Sequence, residues 1–177
     1  MRVKIIVVLA VLVVLGVLAK RTLAPAADPE RLLKVGDAFP AWSLPDQTGT
    51  VVTSTSLAGK TYLLWFYPKA QTSGCTAEGR GLRDHFAEFQ QKGVEIVGVS
   101  FDKPAANAEF VKAEGFQFRL LSDQEHVLAR KVGAASNGLQ LVASRISYLV
   151  GPDGKIVKVY GEVTPATHAG EVLSDLK

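Results

Sequence analysis

Phe66-Tyr67-Pro68-Lys69-Ala70-Gln71-Thr72-Ser73-Gly74-Cys75-Thr76-Ala77-Glu78 decides how this chain is read, and it holds the only cysteine among 177 residues. The run before it, Thr61-Tyr62-Leu63-Leu64-Trp65-Phe66, is β-branched, aromatic and aliphatic, the composition of a buried strand. After it, Cys75, Gly79, Leu82, Phe86 and Phe89 recur at helical spacing and predict one amphipathic helix from Cys75 to Lys92. Pro68 stops the strand, and Ser73-Gly74 supply turn and N-cap chemistry. Cys75 therefore belongs to the first turn of a helix that leaves the end of a core strand. The free N–H groups and dipole of such a terminus stabilise a thiolate, which makes Cys75 a candidate nucleophile. In an arbitrary setting a lone cysteine is instead a small buried hydrophobe. Thr72, one turn ahead, is placed either to donate a hydrogen bond to the sulfur or simply to cap the helix.

Outward from that stretch, strands and helices alternate. Ser43-Leu44 and Val51-Val52 flank Asp46-Gln47-Thr48-Gly49, a hairpin signal. Gly93 is a C-cap, Val94–Ser100 a strand, Pro104–Ala113 a helix, and Leu120-Leu121 a short strand. Asp123 or Ser122 caps a helix running to Val132. Ser147–Val150 and Lys155–Tyr160 are strands joined by Gly151-Pro152-Asp153-Gly154, and a last helix runs from Thr164 or Pro165 to about Leu176. This order predicts an α/β domain over 34–177, a mixed central sheet with helices on both faces. With 21% charged and 47% hydrophobic residues, disorder is excluded.

The formal charge of +3 includes Arg2, Lys4, Lys20 and Arg21, and no acid precedes Asp28, so the remainder carries −1. That remainder has no basic patch for nucleic acid. Ile5 to Ala19 is an uncharged apolar run bracketed by those four charges. As a helix it spans about 22 Å at ~1.5 Å per residue, short of a ~30 Å hydrocarbon core unless Val3, Leu23 and snorkelling basic side chains extend it. Residues 1–23 read as a signal anchor, contacting the membrane through residues 3–23, or as a signal peptide cleaved near Ala24-Pro25-Ala26. Residues 24–33 read as a linker. Either way the domain is expected to be exported: anchored to a bacterial inner membrane and facing the periplasm, or soluble there after cleavage.

Phe66-Tyr67-Pro68-Lys69, Thr72-x-Gly74-Cys75-Thr76-x-Glu78 and Leu82-Arg83-Asp84 together resemble the active-site signature of peroxiredoxins, in particular the bacterioferritin-comigratory (AhpC/TSA) group. The likeness runs from about Lys34 to the C-terminal helix and implies a thioredoxin-like fold of the peroxiredoxin type. It implies a thiol-dependent peroxidase that reduces hydrogen peroxide or organic hydroperoxides through a Cys75 sulfenic acid. Arg145, before the Ile146–Val150 strand, stands where the family places its active-site arginine; read alone it is a surface arginine at a strand start. The resemblance assigns Thr72 to holding the peroxide and Pro68 to shielding the sulfur. Glu78 would orient Arg145, although an acid in a first helical turn is favourable without that role. The position five after Cys75, a resolving cysteine in many relatives, is Arg80. The sulfenic acid must then be discharged by an external thiol such as thioredoxin, glutaredoxin or a glutathione-like reductant. A monomer or homodimer is expected, with no cofactor.

His85, His126 and His168 match no metal-ligand spacing and read as ordinary surface or helix histidines. Thiol–disulfide exchange of the CxxC kind needs a second sulfur that Cys75-Thr76-Ala77-Glu78 lacks. The remaining alternative is a membrane-tethered thioredoxin-like redox or binding module without peroxidase turnover.

Overall fold

The computed structural model describes residues 25–176; the apolar run and its basic flanks lie outside them. A small antiparallel hairpin pairs β1 (Ser43–Pro45) with β2 (Val51–Thr53), about the turn that Asp46-Gln47-Thr48-Gly49 predicts. The main sheet contains β3 (Thr61–Phe66), β4 (Val94–Ser100), β5 (Arg119–Ser122), β6 (Ile146–Val150) and β7 (Ile156–Tyr160), in the order β5-β4-β3-β6-β7. β3 is parallel to β4 and antiparallel to β6, so the sheet is mixed as expected. Among the described residues five α-helices pack with these strands: α1 (Ser73–Asp84), α2 (Phe86–Gln91), α3 (Pro104–Glu114), α4 (Val127–Lys131) and α5 (His168–Asp175).

Side chains alternate along β3 and feed two cores. Tyr62, Leu64 and Phe66 join Val97, Val99, Tyr148 and Leu128 of α4 on one face. Leu63, Trp65 and Tyr67 join Leu82, Phe89, Phe110 and Val172, from α1, α2, α3 and α5, on the other. A strand covered on both faces reads as an unbroken apolar run, which is why Thr61–Phe66 lacks polar alternation.

The single helix predicted over 75–92 is two. It breaks at His85 (φ −100°, ψ 11°), where Nδ1 lies 2.9 Å from the Gly81 carbonyl oxygen that also accepts the His85 backbone N–H at 3.2 Å. Gly79 costs helix propensity but permits packing: a Cβ there would lie 2.5 Å from Phe116 Cζ and 3.2 Å from Trp65. The helix predicted up to Val132 begins later than expected, at Val127. Asp123 still serves it, accepting the N–H groups of Val127 (2.9 Å) and Ala129 (2.7 Å). The last helix likewise starts later, after a turn in which Thr167 N–H donates to the Thr164 carbonyl.

The stretch read as a linker lies on the domain from Pro25 onward. Ser144 Oγ donates to the Ala26 carbonyl at 3.4 Å, and the Arg31 guanidinium donates to the Arg130 carbonyl and to Asn137 Oδ1. Gly133, at φ 77°, leaves room for this strap: a Cβ there would stand 2.9 Å from the Arg31 carbonyl oxygen.

Candidate active site

The loop between β3 and α1 is held by its backbone. Tyr67 N–H donates to the Val99 carbonyl, extending the β3–β4 pairing by one residue, and buried Pro68, which has no N–H, ends it. Ala70 N–H donates to Asp102 Oδ2 at 2.8 Å, tying the loop to the end of β4. Gln71 turns the chain through the left-handed region at φ 61°. Thr72, rather than Ser73-Gly74, is the N-cap of α1, and its side chain makes no capping bond. Nor does its hydroxyl bond the sulfur. Thr72 Oγ donates to the Lys69 carbonyl at 2.9 Å, which commits its single proton and leaves its lone pairs open.

Cys75 is fully buried in the first turn of α1. Its backbone N–H has no backbone acceptor, as expected of a helix start. The β3–β6 register pairs Phe66 with Ile146, so Arg145 falls beside the end of β3. Its Nη2 lies 3.5 Å from Cys75 Sγ, and its Nη1 hydrogen-bonds Glu78 Oε2. Gly74 makes this approach possible, because a Cβ there would stand 3.0 Å from Arg145 Nη2.

Glu78 is fully buried. Burial pushes its carboxyl up to about 7, and the Arg145 guanidinium pulls the other way. The Trp65 indole N–H also faces this carboxylate without reaching hydrogen-bond geometry. Burial works against the charge on Arg145, but Glu78 and Cys75 more than offset it, so the guanidinium stays protonated.

The sequence reading missed His168. It is not a surface residue: it is fully buried, with Nε2 2.9 Å from Ser147 Oγ and 3.9 Å from Glu78 Oε1. Burial, and then Arg145, lower it to about 4, so the ring is neutral at neutral pH. Its i,i+4 relation to buried Val172 is the one sequence signal that places it on an inward face. His126 stacks on Phe101 at 3.7 Å and His85 binds the Gly81 carbonyl, both away from Cys75. Arg80 is exposed and paired with Glu114 of α3 at 2.6 Å. Among the described residues no cluster of three or more His, Cys, Asp or Glu is placed to hold a metal.

Comparison with known proteins bears on the same residues. The AhpC/TSA family matches residues 35–159. Peroxiredoxin Bcp of Escherichia coli K12 is 39% identical over 154 residues, covering 82% of this chain and 96% of that protein. Peroxiredoxin Q of the rice chloroplast is 31% identical over 143 residues, covering 80% of this chain and 66% of that protein. Among solved structures, peroxidoxin BcpB of Mycobacterium tuberculosis superimposes with a TM-score of 0.76 at 32% identity, covering 81% of this chain and 96% of that one. Xanthomonas campestris peroxiredoxin Q gives 0.72 at 32% identity, covering 86% and 96%. On these grounds the chain belongs to the AhpC/TSA family and is a peroxiredoxin of the Bcp and peroxiredoxin Q kind.

Proposed function

We propose that this peroxiredoxin works with one cysteine. The Cys75 thiolate attacks the distal oxygen of a hydroperoxide, the O–O bond breaks, and the electron pair leaves on the other oxygen, which takes a proton to give water or an alcohol. Cys75 becomes a sulfenic acid. An external thiol condenses with it, releasing water and forming a mixed disulfide, which a second thiol reduces. The carrying observation is Arg145 Nη2 at 3.5 Å from Cys75 Sγ. That guanidinium reaches the sulfur and meets the charge that builds on the leaving oxygen. Glu78, behind it, keeps its fork aimed.

Thr72 takes a role opposite to donation. With its proton on the Lys69 carbonyl, its oxygen accepts the hydroperoxide O–H and lines up the O–O bond with the sulfur. Pro68 closes the pocket wall and keeps water from the sulfur. Beside Arg145 a groove of about 440 Å³, bounded by Pro25, Ala27, Pro29, Leu32 and Val163, offers room for the organic part of a larger hydroperoxide. The lone cysteine, and a salt-bridged Arg80 at the fifth position after it, support external resolution.

The apolar run flanked by basic residues supports export, with residues 3–23 as an inner-membrane anchor and the domain in the periplasm. Cleavage of that segment is the alternative, and detecting residues 1–23 by mass in the membrane fraction decides between them. The peroxidase reading is tested by hydrogen peroxide consumption with dithiothreitol, comparing the full chain in detergent with Cys75→Ser. Turnover that disappears in the variant is expected; equal rates would remove Cys75 from the chemistry.

A further inference from the structure

Behind Arg145 lie buried polar atoms that the chemistry above leaves unused. Glu78 meets Arg145 through Oε2, but its Oε1 is buried without a hydrogen-bond partner, as is His168 Nδ1. Such atoms are uncommon in folded proteins, and two on neighbouring side chains call for a joint account. The residues come from α1 and α5, 90 positions apart, and face each other with His168 Nε2 3.9 Å from Glu78 Oε1.

The identity of the facing atoms constrains the proton. A carboxylate only accepts, so the ring atom that faces it is favoured as the N–H. Ser147 Oγ, 2.9 Å from the same nitrogen, can accept as well. The other ring nitrogen faces Glu171 Oε2 at 3.9 Å, a side chain that is 47% exposed and therefore served by water. From β7, the Tyr160 ring packs edge-on against the imidazole, with its hydroxyl donating to Asp175. Arg145 is the remaining charge that acts on the ring, and it disfavours a second proton there.

We propose that His168 is a positioning residue for the Cys75 site: as the Nε2–H tautomer it donates to Ser147 Oγ and turns the positive edge of its ring toward Glu78 Oε1 across 3.9 Å, steering the other carboxylate oxygen onto Arg145 and so holding that guanidinium on the sulfur. This rests on the peroxidase reading for its consequence, but not for its geometry. The chain from α5 through Glu78 and Arg145 to Cys75 would make a helix near the C-terminus part of the active site without touching substrate.

The test compares the full chain in detergent with His168→Phe, which keeps a ring and loses the donor, and His168→Gln, which returns an N–H near the Nε2 position. The rate constant for Cys75 oxidation by hydrogen peroxide is measured from pH 5 to 9, as order-of-magnitude limits that bracket the Glu78 titration. His168→Phe is expected to lower it about fivefold at neutral pH, the size of losing one modest polar contact. The acid limb should move up by about one pH unit, and His168→Gln should recover most of both. The second readout needs no peroxidase activity: in a Cys75→Ser background, the infrared band of protonated Glu78 should persist to higher pH in His168→Phe but not in His168→Gln. If that band titrates alike in all three proteins, the positioning role is wrong whatever the rates do. Should the band shift as expected while the unaltered chain fails to consume peroxide, the positioning role stands and the peroxidase reading falls.

Discussion

Two arginine–glutamate pairs begin two residues apart on α1 and show what burial changes. Glu78 and Arg145 have side chains 0% and 14% exposed; Arg80 and Glu114 have side chains 55% and 12% exposed. The outer pair ties α1 to α3 through a partner that stays hydrated, an arrangement that contributes little. In the inner pair both groups are largely stripped of water, and burial pushes Glu78 up to about 7. A fold selected for stability alone would fill that place with apolar side chains. Keeping a charged pair there makes sense if the guanidinium has a task, and Cys75 lies at its other end.

Removing Arg145 should break this comparison most visibly. Arg145→Met is expected to slow Cys75 oxidation by about a hundredfold, the usual loss when a donor to developing charge is removed. It also leaves Glu78 unpaired, so denaturation should show a loss of about 3 kcal/mol at pH 8 that shrinks in acid, where the carboxyl is neutral. Equal losses at both pH values would mean that the pair is not an ion pair. Glu78→Gln comes next, with a rate about tenfold lower because the fork loses a charged acceptor.

The same variant sharpens the pH dependence. Glu78 is raised from 4.5 to about 7, so the stability linked to its proton is present below 4.5 and is lost as pH rises through 7. His168 is lowered from 6.5 to about 4, so its contribution is present above 6.5 and is lost as pH falls through 4. Between 4.5 and 6.5 the two slopes oppose each other. The unaltered protein should be nearly flat there, and Glu78→Gln should gain stability with rising pH, by at most ~1.4 kcal/mol per pH unit. A falling curve in Glu78→Gln would reverse the assignment of His168.

Smaller effects mark the edges of the site. Gly74→Ala places a Cβ 3.0 Å from Arg145 Nη2 and otherwise only in ordinary contact with Pro165, so the melting temperature should hold while the rate falls about threefold to fivefold from a displaced guanidinium. Arg80→Ala, on the outer pair, should change neither rate nor melting temperature measurably. A rate loss there matching that of Glu78→Gln would erase the distinction between the two pairs.

The strand–loop–helix around Cys75 was legible because its signals are local: an apolar run, a proline, a capping residue and a helical repeat. The mixed sheet followed from the order of such signals, whereas Arg145 came only from the family resemblance, because its place before a strand reads alone as a surface arginine. The break at His85 was not legible, because it depends on a side chain reaching the Gly81 carbonyl of its own helix. Gly79 looked like a weakness of α1 until Phe116, 37 residues on, was seen to occupy the space a side chain would need. Thr72 sits where the motif predicts, but the direction of its hydroxyl depends on the turn made by Lys69 to Gln71. His168 was read as unremarkable because what gives it meaning, Glu78 and Ser147, comes from other elements of the fold.

The most direct measurement is the mass of the Cys75 peptide after the full chain meets one equivalent of hydrogen peroxide in the presence of dimedone, without added thiol. The account predicts one dimedone adduct, on Cys75, and disappearance of the peroxide. An unmodified Cys75 with the peroxide still present would contradict it.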